Sequence, residues 1–227
     1  SFLSHGNARV RQDALKALPP TLPEQFLQHA LDLLGSPRGP TRAQGLELLR
    51  RIPGGGERPE VLGLLGDPDP AVADVVARHL ALLEEPAVRE QLLAIIETGA
   101  SRRAAFALLS LVRGEDRWFA RWIPESESLR QRLGAWLRGD DPFYRGVAAV
   151  ALAQLSHRSE LEELRQLAAR YLVPILIQTV AGGVYFADYR TLQDLCFTKL
   201  ELLTGLAHGS DARRFERFWQ DRGATFR

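Results

Sequence analysis

The chain of 227 residues is 45% hydrophobic and 25% charged, with 29 basic residues against 28 acidic ones. That balance gives the molecule no overall field with which to attract nucleic acid or an anionic membrane, and no apolar run approaches the roughly 18 to 20 residues that cross a bilayer. The single cysteine, Cys196, excludes an intramolecular disulfide framework, and the histidines at 5, 29, 79, 157 and 208 share no metal-ligand spacing, so no cofactor and no metal are expected.

Four residue triplets at spacing i, i+4, i+8 step along the chain every 31 residues: Val10, Ala14, Leu18; Thr41, Gly45, Leu49; Val72, Val76, Leu80; and Arg103, Ala107, Leu111. Each triplet marks one face of a helix, and a small middle residue lets a neighbouring helix come close. A period of this length indicates stacked supersecondary units. The first predicted helix runs from about Asn7 to Leu18 and lacks a partner helix before it, which suggests either a fragment of a longer array or an unusually open end. The absence of methionine suggests that Ser1 is a trimmed or excised boundary. The next unit is a full pair. Pro23 opens a helix with Phe26, Leu27, Ala30, Leu31 and Leu34 inward, and Pro40 opens its partner, which ends near Ile52 before Gly54, Gly55 and Gly56.

A short helix from about Pro59 to Leu65 leads into Gly66-Asp67-Pro68-Asp69-Pro70, where Asp69 suits a cap and Pro70 a first turn. Pro86 opens the next pair, with Val88, Leu92, Leu93 and Ile96 apolar, and its second helix runs through Leu111. The stripe of Tyr144, Ala148 and Leu152 then begins 41 residues after Arg103, so ten residues are inserted, placed among Gly114 to Glu125 ahead of a helix with Leu129, Leu133, Trp136 and Leu137. Ser159 and Glu162 form a capping box for a helix through Leu172, and Pro174 starts a further helix stopped by Gly182 and Gly183. Two helices, about Arg190 to Leu203 and one bearing Phe215, Phe218 and Trp219 behind Ser210 or Asp211, form a C-terminal cap.

The segments GDPDPAVADVVARHLALL at 66–83 and GDDPFYRGVAAVALAQL at 139–155 resemble HEAT repeats, in which an Asp-Pro turn leads into a second helix that often carries an arginine early. Arg11, Arg42 and Arg145 occupy that arginine place, whereas Ala73 and the apolar-position Arg103 depart from it, so no continuous polar ladder is expected. The resemblance covers about Asn7 to Leu172. It implies an all-α, right-handed α-solenoid of about five to six helix pairs, with second helices on a concave side. The whole of 1–227 is then one domain, with regular repeats over about 7–172 and an irregular cap over about 173–227.

The insertion carries the leading site candidates: Trp118, Phe119, Arg121 and Trp122 gather large aromatics with arginine, the residue types enriched at binding hot spots. The bland alternative is that they bury the extra turn. Arg102, Arg103 and Arg145 belong to a span of nine arginines between 102 and 145, against six acids, which reads either as a solvated surface or as a face for an acidic peptide or phosphate backbone. Tyr185, Phe186 and Tyr189 beside Gly182 and Gly183 are a third candidate, equally explained by closure of the last groove. No paired carboxylates and no nucleophile with its base stand out.

The expected function is therefore non-catalytic: a scaffold or adaptor, cytoplasmic by default, presenting a rigid helical surface to a protein partner. The alternative is a nucleic-acid enzyme resembling the HEAT-like alkylpurine DNA glycosylases, suggested by Trp118, Asp116 and nearby arginines and opposed by the near-zero net charge. A HEAT-like bilin lyase is a more distant enzyme alternative.

Overall fold

The computed structural model describes residues 5, 7–83, 85–113, 126–157, 162–181, 190–207 and 211–222. All secondary structure among them is helical. Helix α1 (Ala8–Ala17) starts where the Asn7 side chain accepts the Arg9 N–H at 2.9 Å and ends before Pro19 and Pro20. A 3-10 turn, Glu24–Phe26, leads into α2 (Leu27–Leu34), which turns at Gly35 into α3 (Gly39–Leu49) with Pro40 in its first turn. Helix α4 (Pro59–Gly63) is brief. It tightens into a 3-10 turn, Leu64–Gly66, before Asp69 caps α5 (Pro70–Leu80) by accepting the Ala71 N–H at 3.0 Å.

The second half repeats this grammar. Helix α6 (Pro86–Thr98) stops at Gly99, and α7 (Ser101–Arg113) follows at once. Ser126 caps α8 (Glu127–Arg138) and Asp141 caps α9 (Pro142–His157), each with a side-chain oxygen accepting a first-turn N–H. Helices α10 (Glu162–Ala181), α11 (Arg190–Thr204) and α12 (Ala212–Arg222) complete the chain. Gly205, at φ +70°, takes the left-handed conformation that closes α11, and Asp211 caps α12 through the Arg213 N–H.

Pairs form between sequence neighbours: α2 packs on α3, α6 on α7 and α8 on α9. The second helices also contact one another in succession, α3 on α5, α5 on α7 and α7 on α9. The small middle positions make this close packing feasible. Val76, Ala107 and Ala148 are fully buried, and a Cβ added at Gly45 would lie 2.7 Å from the Ala30 carbonyl oxygen and 2.8 Å from the Leu34 nitrogen. Only glycine admits α2 so near to α3. The apolar rows alongside, such as Leu46, Leu48 and Leu49, have no exposure, and each such leucine contributes roughly 1.5–3 kcal/mol of burial. Phe106 of α7 meets Phe143 of α9 at 5.4 Å between ring centroids. The two second helices therefore stay adjacent although residues 114–141 separate them in sequence.

Polar bonds lock units together. Arg42 of α3 grips Asp67 of the next turn with a two-pronged fork, Nε to Oδ2 at 2.7 Å and Nη2 to Oδ1 at 2.6 Å, while its Nη1 donates to the Ser36 carbonyl at 2.8 Å. The Arg42 guanidinium is held above its usual pKa by its hydrogen bond to Asp67. Arg51, just beyond α3, donates to the Leu15 and Leu18 carbonyls at 2.8 and 3.2 Å and so satisfies the open end of α1.

One expectation is revised. The predicted break between a helix through Leu172 and another from Pro174 does not occur: α10 runs unbroken past Pro174. The ring removes one backbone hydrogen bond, at a cost of about 3 kcal/mol, yet Val173, Leu176, Ile177 and Val180 are all buried where α10 packs against α9 and α11, and that burial outweighs the loss. Helix α11 lies in the stretch expected to form a terminal cap. It packs on α10 and α9 and extends to α7 and α5.

Candidate functional site

The end of the second-helix row over α3, α5 and α7 holds an open cavity of about 390 Å³. Arg50 follows the last residue of α3, Arg78 and His79 lie in the last turn of α5, and Arg113 is the last residue of α7. Cations are favoured there because a helix C-terminus carries the negative end of the backbone dipole. Among the described residues Glu47 is the one acid lining the cavity, and Val75 and Leu82 supply its apolar surface. Leu82 is 69% exposed, which sets it apart from the other described leucines.

Each arginine is oriented by one carboxylate. Arg50 Nη1 lies 3.0 Å from Glu47, Arg78 Nε 3.2 Å from Asp74, and Arg113 Nη1 3.5 Å from Asp194 of α11. Asp74 is the buried member of this set, at 2% exposure. Its Oδ1 accepts the Thr191 N–H at 2.9 Å, so a side chain of α5 caps the first turn of α11 from 117 residues away. Burial pushes the Asp74 carboxyl above the usual carboxylate range, opposed by the Thr191 hydrogen bond and the nearby Arg78 charge.

His79 forms the floor. Its Nε2 donates to the Gly56 carbonyl at 3.1 Å, which pins the glycine loop, with Gly54 at φ +67°, onto α5. Burial holds the ring below its usual pKa of 6.5 and so keeps it neutral. Below about pH 6.5 the unfolded chain takes up a proton that the folded ring resists. Stability is expected to fall with decreasing pH below that value, by up to about 1.4 kcal/mol per pH unit, until the folded ring also titrates. Urea midpoints measured from pH 7.5 to 5 should show this slope in the native chain and a shallower one in His79→Gln.

The sequence candidates fall differently. Trp118, Phe119, Arg121 and Trp122 lie outside the described residues, as do Tyr185, Phe186 and Tyr189. Arg102 and Arg103 sit in the first turn of α7 and Arg145 in the first turn of α9, all half-buried and none of them lining the cavity. Arg103 is committed to packing, with its aliphatic stem beside Gly66 and its Nη2 3.5 Å from the Leu62 carbonyl oxygen. Trp136 stacks on Tyr144 at 5.4 Å, beneath the Arg132 guanidinium. Arg50, Arg78 and Asp74 escaped the sequence reading. One signal was present: Asp74 occupies the repeat place held by Ala43 and Ala105, so it breaks a small-residue position with a charge.

Among the described residues, no group of three or more His, Cys, Asp or Glu side chains gathers as a metal ion would require, and no helix is long and apolar enough to cross a membrane. Compared with known proteins, the chain matches no family model, no curated protein and no solved structure.

Proposed function

We propose that this chain is a HEAT-like α-solenoid whose second-helix face binds a protein partner without catalysis. The observation that carries the reading is the arginine-lined cavity spanning α3, α5 and α7, with Leu82 standing exposed beside it. Successive contacts among the second helices support the solenoid, because in such an array each unit rests on its neighbours and the outward side chains form a long surface. A surface of this kind is ordered before the partner arrives, so little conformational entropy is lost on binding. Trp118 and Trp122 belong to the same proposal as anchors supplied by the insertion.

Affinity capture from source-cell lysate, read by mass spectrometry, tests the proposal. The native chain should retain a protein that Leu82→Asp or the Trp118→Ala, Trp122→Ala pair releases, with helicity unchanged in both variants. Retention of nucleic acid alone would instead favour the DNA-glycosylase-like alternative, and base excision would then be assayed.

A further inference from the structure

We infer that the groove over α3, α5 and α7 takes a carboxylate-rich helical segment of the partner, laid along the row that α11 already occupies in part. This rests on the reading of the second-helix face as a protein-binding surface and adds the chemistry of what it binds.

The fold itself contains an example of the binding mode. Positions 51, 82, 113 and 154 are equivalent in the repeats, separated by 31, 31 and 41 residues. At 154, Gln154 is hydrogen-bonded by Lys199 of α11; at 113, Arg113 is paired with Asp194 of the same helix. One helical stretch earlier, Thr191 meets Asp74 of α5, and there α11 begins. Cover therefore fades along the row, from Gln154 at 5% exposure through the Arg113 side chain at 33% to Leu82 at 69%. At the last place Arg51 is engaged with the carbonyls of α1. The uncovered interval is centred on Leu82, and the charged groups lining it are Arg50, Arg78 and Arg113 with one acid, Glu47, so that the positive charge is in excess.

Their chemistry selects carboxylates. The carboxylate contact of each of the three arginines uses a single nitrogen, whereas a guanidinium offers five N–H donors in a planar fork suited to bidentate acids. Asp194 on Arg113 is the intramolecular case of the pairing proposed for the partner. Val75 and Leu82 add an apolar strip, which a helix with acids on one edge and an aliphatic residue on its face would cover and a phosphate backbone would not. Helices pack about 8–10 Å apart, so crossing three of them requires roughly 16–20 Å, about 12 residues of helix.

The test uses a fluorescein-labelled helical peptide of about 12 residues, built of glutamate with leucine on one face. Its controls are the lysine counterpart and a short DNA duplex. Each is titrated with the full chain by fluorescence anisotropy at low and at raised salt. The acidic peptide should bind saturably and weaken as salt rises. Arg50→Gln with Arg78→Gln should lower its affinity at least about tenfold, as should Leu82→Asp, with unchanged circular dichroism. Equal binding of the lysine peptide, a preference for DNA, undiminished binding by the variants or no saturable binding would overturn the proposal. A photo-crosslinking amino acid in place of Leu82 separates the two levels. If it traps a lysate protein while the acidic peptide fails, the surface reading stands and the carboxylate chemistry falls; if neither binds, both fall.

Discussion

Replacing Arg42 by alanine is expected to destabilise the protein by about 3 kcal/mol or more, the cost of breaking a buried ion pair on one side. Arg42 and Asp67 have side-chain exposures of only 12% and 2%, so water cannot replace the lost fork. Asp67 retains one partner after the substitution, the Asp69 N–H at 2.8 Å, but its charge remains buried. Asp67→Ala should cost a similar amount, because it removes that turn bond together with the ion pair. The double variant should cost clearly less than the sum of the two. Urea unfolding at pH 7 measures all three, and a loss below about 1 kcal/mol for Arg42→Ala would show that the pair is energetically idle. The location of the damage is a further readout. Arg42 ties the α2–α3 pair to the turn before α5, so amide exchange should accelerate over residues 8–49 before it does so over α7 and α9.

Asp74→Ala should cost about 2 kcal/mol, through a different mechanism. Thr191 is fully buried, and without Asp74 its N–H has lost its acceptor at the first turn of α11, where a helix already has amides without backbone partners. Asp74→Asn keeps the accepting oxygen and removes a charge whose burial is net unfavourable, so a cost well below that of Asp74→Ala is expected at neutral pH. The two variants are further told apart by acid. Because the folded Asp74 carboxyl titrates above the ordinary value of 3.8, the stability it contributes is complete below that value and declines as pH rises through the folded pKa. The advantage of the native chain over Asp74→Asn should therefore be largest in acid and shrink across that interval. An advantage that grows with pH would contradict the burial-driven shift.

The helical periodicity of the sequence revealed most of the fold. Residues that recur at i, i+4 and i+8 with a small middle member do end up buried between helices, as Val76, Ala107 and Ala148 show, and Asn7, Asp69 and Asp211 cap as their residue types suggest. Pro174 misled because local propensity is a weak force beside the burial of Val173 and Leu176. The cavity was less legible. Arg50, Arg78 and Arg113 occupy different repeat registers, so no period brings them together, and only the stacking of three helix ends does. Asp74 was visible as an oddity in its repeat, but its partner lies 117 residues on, beyond the reach of any local pattern.

That same long reach sets a timetable for the newborn chain. At a synthesis rate of 5–20 residues per second, roughly 6 to 23 seconds separate the emergence of Asp74 from that of Thr191. Once α9 has emerged, α5, α7 and α9 can rest on one another, yet until α11 follows the seat of Leu192, Leu195, Cys196 and Leu200 stands bare. A ribosome stalled short of Arg190 would thus display a sticky ledge for chaperones, and the arrival of α11 is what seals it.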